Sequence, residues 1–92
     1  MGTDAGIEFI ATVDEALNAA SKIEDLNLRV NNSGLGVSCA PNIYQTKEGT
    51  FRLYGQTHWS HDSKNGRVLV KEIMAWIKRN HLQIKIKSKW YV

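Results

Sequence analysis

Three lysines at alternate positions near the C-terminus are the first residues that could do chemistry. Lys85, Lys87 and Lys89 lie in segment 82–92, where apolar and polar residues alternate. This alternation predicts a β-strand with one buried and one exposed face, on which same-face residues are about 6.6–6.8 Å apart. A row of ammonium groups can neutralise phosphates, or protect an edge strand from aggregation. The buried face is expected to hold Leu82, Ile84, Ile86 and Trp90.

A second basic and aromatic segment extends this character. Arg52, Tyr54 and His58 lie at alternate positions, so a strand would place them on one polar face. Guanidinium groups pair with phosphates, and aromatic rings stack on unpaired bases. Trp59 has no periodic apolar partners and is a candidate binding anchor. We therefore predict a nucleic-acid or partner-binding set of Lys85, Lys87, Lys89, Arg52, Tyr54, His58, Trp59, Lys64 and Arg67.

The histidines raise two further possibilities, a metal site and acid–base catalysis. His58 and His61 lie beside Asp62, but only Cys39 and His81 remain as further nitrogen or sulfur ligands, and no Cys-x-x-Cys or His-Glu-x-x-His motif is present. We predict no metal and no cofactor. A histidine with a neighbouring cation can cleave RNA, so a small ribonuclease using His58 or His61 stays as an alternative. Because the chain has no phosphate loop and no nucleophile elbow, we expect a protein that is not an enzyme.

The charge is divided unevenly along the chain. Residues 1–46 carry two basic and six acidic residues, a net −4, whereas residues 47–92 carry ten basic and three acidic residues, a net +7. Such asymmetry indicates either polyanion binding or attraction between the two halves. The 92 residues are expected to form one α+β domain spanning 1–92.

Cellular context is predicted from what the sequence lacks. One cysteine excludes an internal disulfide framework and fits a reducing compartment. No apolar run approaches the ~18 residues of a membrane span, and the N-terminus has no signal-peptide pattern. We expect a cytoplasmic protein without a membrane partner, and the sequence does not indicate its oligomeric state.

Local patterns predict the order of the elements. Thr12 and Glu15 form a capping box that begins a helix ending near Asp25. Before it, residues 6–11 are predicted to form an optional first strand or arm. After it, we predict a hairpin of strands 26–30 and 35–39, and then strands 43–46 and 50–55 around a turn at 47–49. A second helix capped by Asp62 or Ser63 follows, with Asn65-Gly66 as a competing hairpin turn, and the terminal strand ends the order. The order (β)αβββ(β)αβ predicts a two-layer sandwich, with an antiparallel sheet of four to five strands and two helices on one face.

The helix, three strands and helix expected over residues 12–80 resemble the double-stranded-RNA-binding domain. That family places lysines at the start of its second helix on phosphates, and Lys64 and Arg67 occupy the corresponding stretch here. In size and in lacking a catalytic motif, the chain is also similar to small phage-encoded inhibitors, anti-CRISPR proteins among them, which cover a surface of a nucleoprotein machine.

These observations together predict a module that docks through a basic face on nucleic acid or on a nucleoprotein complex. The alternative is a protein-protein interaction or structural subunit anchored by exposed aromatic residues.

Overall fold

A computed structural model describes residues 3–57 and 64–91. Within them the chain forms an α+β fold with a four-stranded antiparallel sheet, as expected, but with three helices instead of two. The elements in chain order are β1 (Thr3–Ile10), α1 (Val13–Ser21), α2 (Ile23–Asn32), β2 (Val37–Gln45), β3 (Phe51–Thr57), α3 (Lys64–Arg79) and β4 (Lys85–Tyr91).

The sheet has the strand order β2-β3-β1-β4, so β1 is a central strand and β2 and β4 are the edges. β1 pairs antiparallel with β3 on one side and with β4 on the other. Each helical crossover joins two strands that are separated by a third, which is the split β-α-β arrangement. The segment expected to be an optional strand or arm is therefore paired along both of its edges.

The helices cover one face of the sheet. Ala5, Ile7 and Phe9 alternate along β1 and are fully buried, together with Leu53 of β3. They belong to one apolar cluster with residues from all three helices, among them Ala19, Leu26, Val30, Leu69, Ile73 and Trp76. The intervening residues of the strands lie on the opposite face, which no described helix covers.

The prediction of a strand at 26–30 is wrong, because this segment belongs to α2. Ile23, Leu26 and Val30 recur at helical spacing; Leu26 and Val30 are buried and Ile23 packs against the core, whereas Leu28 is 59% exposed. A short run of alternate apolar residues fits a strand as well as one face of a helix, and packing against the sheet decides between them. The predicted hairpin with 35–39 does not form, and the order resembling the double-stranded-RNA-binding domain is absent.

The first predicted helix is interrupted at Lys22, which separates α1 from α2. Its start is confirmed, since the Thr12 amide donates to Glu15 Oε1 at 2.8 Å and the Glu15 amide donates to Thr12 Oγ1 at 3.1 Å. At the interruption, Nε1 of the buried Trp76 donates to the Lys22 carbonyl oxygen at 2.9 Å. This bond ties the junction of α1 and α2 to α3.

Residues 35–46 were expected to form two strands, but β2 is one strand with register shifts beside Cys39. Pro41 is tolerated because β2 is an edge strand. The turn predicted at 47–49 is confirmed, with Gly49 at φ 89° and the Thr46 amide donating to the Thr50 carbonyl oxygen at 2.8 Å.

The second predicted helix is confirmed as α3, and Asn65 and Gly66 lie within it, so the competing hairpin turn does not form. Its predicted caps, Asp62 and Ser63, lie outside the described residues.

Candidate functional site

A β-bulge in β4 determines which lysines reach the open face of the sheet. Phe9 pairs with Ile86 and Glu8 pairs with Ser88, so Lys87 is an extra residue between two paired positions. Lys87 nevertheless points to the face away from the helices, where its Nζ lies 3.2 Å from Glu8 Oε2. The bulge thus places an ammonium group beside the central strand.

Beyond the bulge, the alternation of faces is inverted. Lys89 pairs with the buried Ile7, and Trp90 pairs with Gly6. Directly opposed residues share a face, so Lys89 lies on the helix side and Trp90 on the open side. The prediction that three lysines share one face, with Trp90 in the core, is wrong because one inserted residue exchanges the two faces. Lys85 lies opposite Ile10 and remains on the open face.

Three aromatic rings form a row across the open face. The ring centroids of Tyr44 on β2 and Tyr54 on β3 are 5.1 Å apart, and those of Tyr54 and Trp90 on β4 are 6.0 Å apart. β1 lies between Tyr54 and Trp90, but the residue that pairs with both is Gly6. A Cβ atom at Gly6 would lie 2.5 Å from the Tyr54 Cβ atom and 2.2 Å from the Leu53 carbonyl oxygen. Glycine therefore allows the two rings to meet above the central strand.

One carboxylate organises the cations beside this row. Glu8 Oε1 accepts a hydrogen bond from Arg52 Nε at 3.2 Å, and Glu8 Oε2 accepts one from Thr50 Oγ1 at 3.0 Å and contacts Lys87. The hydrogen bond from Thr50, followed by those from Lys87 and Arg52, lowers the pKa of Glu8. The Arg52 guanidinium carbon lies 5.8 Å from the centroid of Trp90. One carboxylate between two cations leaves a net positive charge and holds Arg52 against the aromatic row.

The row borders an open groove of about 540 Å³ next to the β2–β3 turn. Its walls are polar and aromatic, formed by Asp4, Tyr44, Gln45, Thr46, Lys47, Glu48, Arg52, Tyr54 and Trp90. A shallow groove with ring faces and side-chain donors suits a flat, polar ligand better than an enclosed apolar one.

The predicted binding residues are divided between two surfaces. The open face carries Arg52, Tyr54, Lys85 and Lys87, and the helix side carries Lys89 and Arg67. The guanidinium carbon of Arg67 lies 5.3 Å from the Tyr91 ring centroid. His58, Trp59 and the side chain of Lys64 lie outside the described part of the structure. The ribonuclease alternative, which depends on His58 or His61, therefore stays a prediction.

Two members of the aromatic row, Tyr44 and Trp90, were not among the predicted binding residues. Tyr44 pairs with Arg52 across the β2–β3 hairpin. Counting outward from the turn at Gly49 would have found this pair, because turn length sets hairpin register. The position of Trp90 on the open face depends on the bulge, which no local sequence pattern predicts.

Comparison with known proteins finds no matching family model, no matching curated protein and no matching solved structure. Within residues 3–57 and 64–91, no three His, Cys, Asp or Glu side chains are grouped so as to hold a metal ion. No helix in this part of the chain is long and apolar enough to cross a membrane.

Proposed function

We propose that the protein is a non-enzymatic binding module whose open sheet face binds single-stranded nucleic acid. The observation that carries the proposal is the row of Tyr44, Tyr54 and Trp90 on an uncovered sheet, with Arg52 held against Trp90. Stacking on exposed rings and pairing with cations are how sheet surfaces bind unpaired bases and their phosphates.

Stacking should contribute more to affinity than charge does. Each base–aromatic stack contributes about 1–3 kcal/mol, judged by alanine substitution. The charge of Arg52 and Lys87 is partly offset by Glu8, which contacts both. A duplex keeps its bases stacked within the helix and offers only its backbone to the rings, so the face should prefer single strands.

Removal of one exposed ring tests the proposal. We expect Tyr44→Ala to weaken binding of a four-nucleotide single strand about fivefold or more, because a stacked base is lost. Tyr91→Ala is the matched control: the two tyrosines are 45% and 42% exposed, but Tyr91 lies on the helix side. The measurement is fluorescence anisotropy with labelled DNA and RNA four-mers and a short duplex at 50 mM salt.

The proposal fails if the wild type binds no single strand at this salt concentration. It also fails if Tyr44→Ala and Tyr91→Ala bind the four-mers equally well. Retention of Trp fluorescence and of the circular dichroism spectrum establishes that the variants are folded.

The second candidate is docking on a protein or nucleoprotein complex, as a phage-type inhibitor would do. What favours it is that tyrosine, tryptophan and arginine, the residues of this row, are those that dominate protein interfaces. A pull-down with and without nuclease separates the two candidates. A complex that survives nuclease and is lost with Tyr44→Ala supports protein docking through the same face.

A further inference from the structure

A second groove lies between α3 and β4, on the helix side of the edge strand. It has an open volume of about 450 Å³ and is lined by Arg67, Val70, Lys71, Met74, Lys89 and Tyr91. Three of its six lining residues are cations, and no described acidic residue lines it. The groove thus combines apolar side chains with three positive charges.

These cations are not neutralised within the described part of the chain. Arg52 and Lys87 share the carboxylate of Glu8, whereas none of Arg67, Lys71 and Lys89 forms an ion pair there. Arg67 instead lies over the ring of Tyr91. A site with three uncompensated cations attracts phosphates.

The bulge in β4 connects this groove with the open face. Lys85 and Lys87 lie on the open side of the edge strand and Lys89 lies on the helix side. At about 3.3 Å per residue, all three fall within about 13 Å along the strand. Among the described strands, none pairs with the outer edge of β4. A line of cations therefore crosses the edge of the sheet, from the aromatic row to the groove.

We propose that a single strand longer than the open face continues over β4, and that its phosphates bind in the α3–β4 groove. This inference depends on the proposed function and extends it to the path of the ligand. A single strand is flexible enough to turn round the edge of a sheet, whereas duplex DNA, with a persistence length of about 50 nm, is not. Preference for single strands over duplexes should accordingly increase with length.

The test compares a four-mer and a twelve-mer of oligothymidylate at 50 and 200 mM salt. In the groove variant, Arg67, Lys71 and Lys89 are changed to Gln. In the control variant, Lys22, Arg29 and Lys78, which line neither groove, are changed to Gln, so the same net charge is removed.

The groove variant should bind the four-mer like the wild type but lose salt sensitivity with the twelve-mer. Each phosphate contact of a single strand contributes about 0.7 to the slope of log affinity against log salt, so three lost contacts reduce it by about 2. Between the two salt concentrations, the wild type should then lose about twentyfold more affinity than the groove variant. The control variant should keep the wild-type slope.

The inference is overturned if the groove variant and the wild type show the same slope with the twelve-mer, or if the control variant lowers the slope as much. Binding of neither oligomer by the wild type overturns the proposed function as well. If the wild type binds the four-mer, but the groove substitutions leave the salt slope of the twelve-mer unchanged, only the path over β4 is overturned. Lys71→Glu, a single exposed substitution, gives a second measurement should the triple variant fold poorly.

Discussion

At the scale of single residues, Glu8 couples the stability of the sheet to the geometry of the open face. Its side chain is only 14% exposed and contacts Arg52, Thr50 and Lys87. Its folded-state pKa is lowered below the ordinary value of 4.5, first by the hydrogen bond from Thr50 and then by Lys87 and Arg52. The stabilisation from ionised Glu8 is therefore complete above about pH 4.5 and is lost as the pH falls through the lowered pKa.

Glu8→Gln should make the protein less sensitive to acid. The urea midpoint of the wild type should fall between pH 6 and pH 3, and the fall should be shallower in the variant because its amide does not titrate. Part of the decrease in the urea midpoint should remain in both proteins because Asp25, whose pKa is lowered by hydrogen bonds from Arg79 and Asn80, is present in both. Glu24→Gln, at an exposed position of α2, is the control, and its urea midpoint should decrease with pH as much as that of the wild type. Parallel curves for wild type and Glu8→Gln would contradict the role given to Glu8.

At the scale of elements, the end of α3 is built on an unusual residue. His81 follows the helix with φ 52°, the left-handed conformation that glycine adopts most easily. The His81 amide donates to the Lys78 carbonyl oxygen at 3.2 Å, and the Leu82 amide donates to that of Ile77 at 3.1 Å. This is the Schellman arrangement, and it turns the chain from α3 towards β4. The backbone strain at His81 is thus the cost of a well-defined helix end.

His81→Gly should therefore stabilise the protein by about 1 kcal/mol, since left-handed backbone costs a non-glycine residue about 1–2 kcal/mol. Greater chain entropy in the unfolded state offsets part of this gain. His81→Ala is the control, because it removes the exposed imidazole but keeps a Cβ atom. Urea denaturation at pH 7 measures both. Equal stabilities of the glycine and alanine variants would show that the conformation at His81 is not strained.

At the scale of the whole molecule, the acidic and basic halves of the chain are joined by ion pairs. Each ion pair among the described residues links an acidic residue of the first half, Glu8 or Asp25, to a basic residue of the second half: Arg52, Lys87 or Arg79. Attraction between the halves thus accounts for part of the charge asymmetry. The unpaired cations of the second half remain on both sides of β4, where we propose binding.

β1 is paired on both sides with strands of the second half, β3 and β4, which makes it critical for stability. Ile7 is fully buried between β3 and β4, whereas Ile10 on the same strand is 48% exposed. Ile7→Ala should lower the free energy of unfolding by about 2–5 kcal/mol, and Ile10→Ala should change it by less than about 0.5 kcal/mol. Equilibrium urea unfolding measures the difference. If both variants had similar stability, β1 would be a peripheral arm.

The sequence alone determined the features that depend on neighbouring residues. The capping box of Thr12 and Glu15, the turn at Gly49 and the apolar face of α3 are local patterns, because their contacts lie within a few positions along the chain. The antiparallel α+β class followed from these patterns, as did the presence of a polar face on β3 and β4.

Only the tertiary structure decided the features that depend on distant partners. Segment 26–30 has a pattern that fits a strand or a helix, and burial of Leu26 and Val30 against the rest of the core selects the helix. The place of β1 follows from pairing with strands more than forty residues away along the chain. The bulge at Lys87 exists only in the register between β4 and β1, yet it brings Trp90 to the open face and sends Lys89 to the groove. Strand register is a property of the pair and not of either strand, so the candidate site could not be assembled from local pattern.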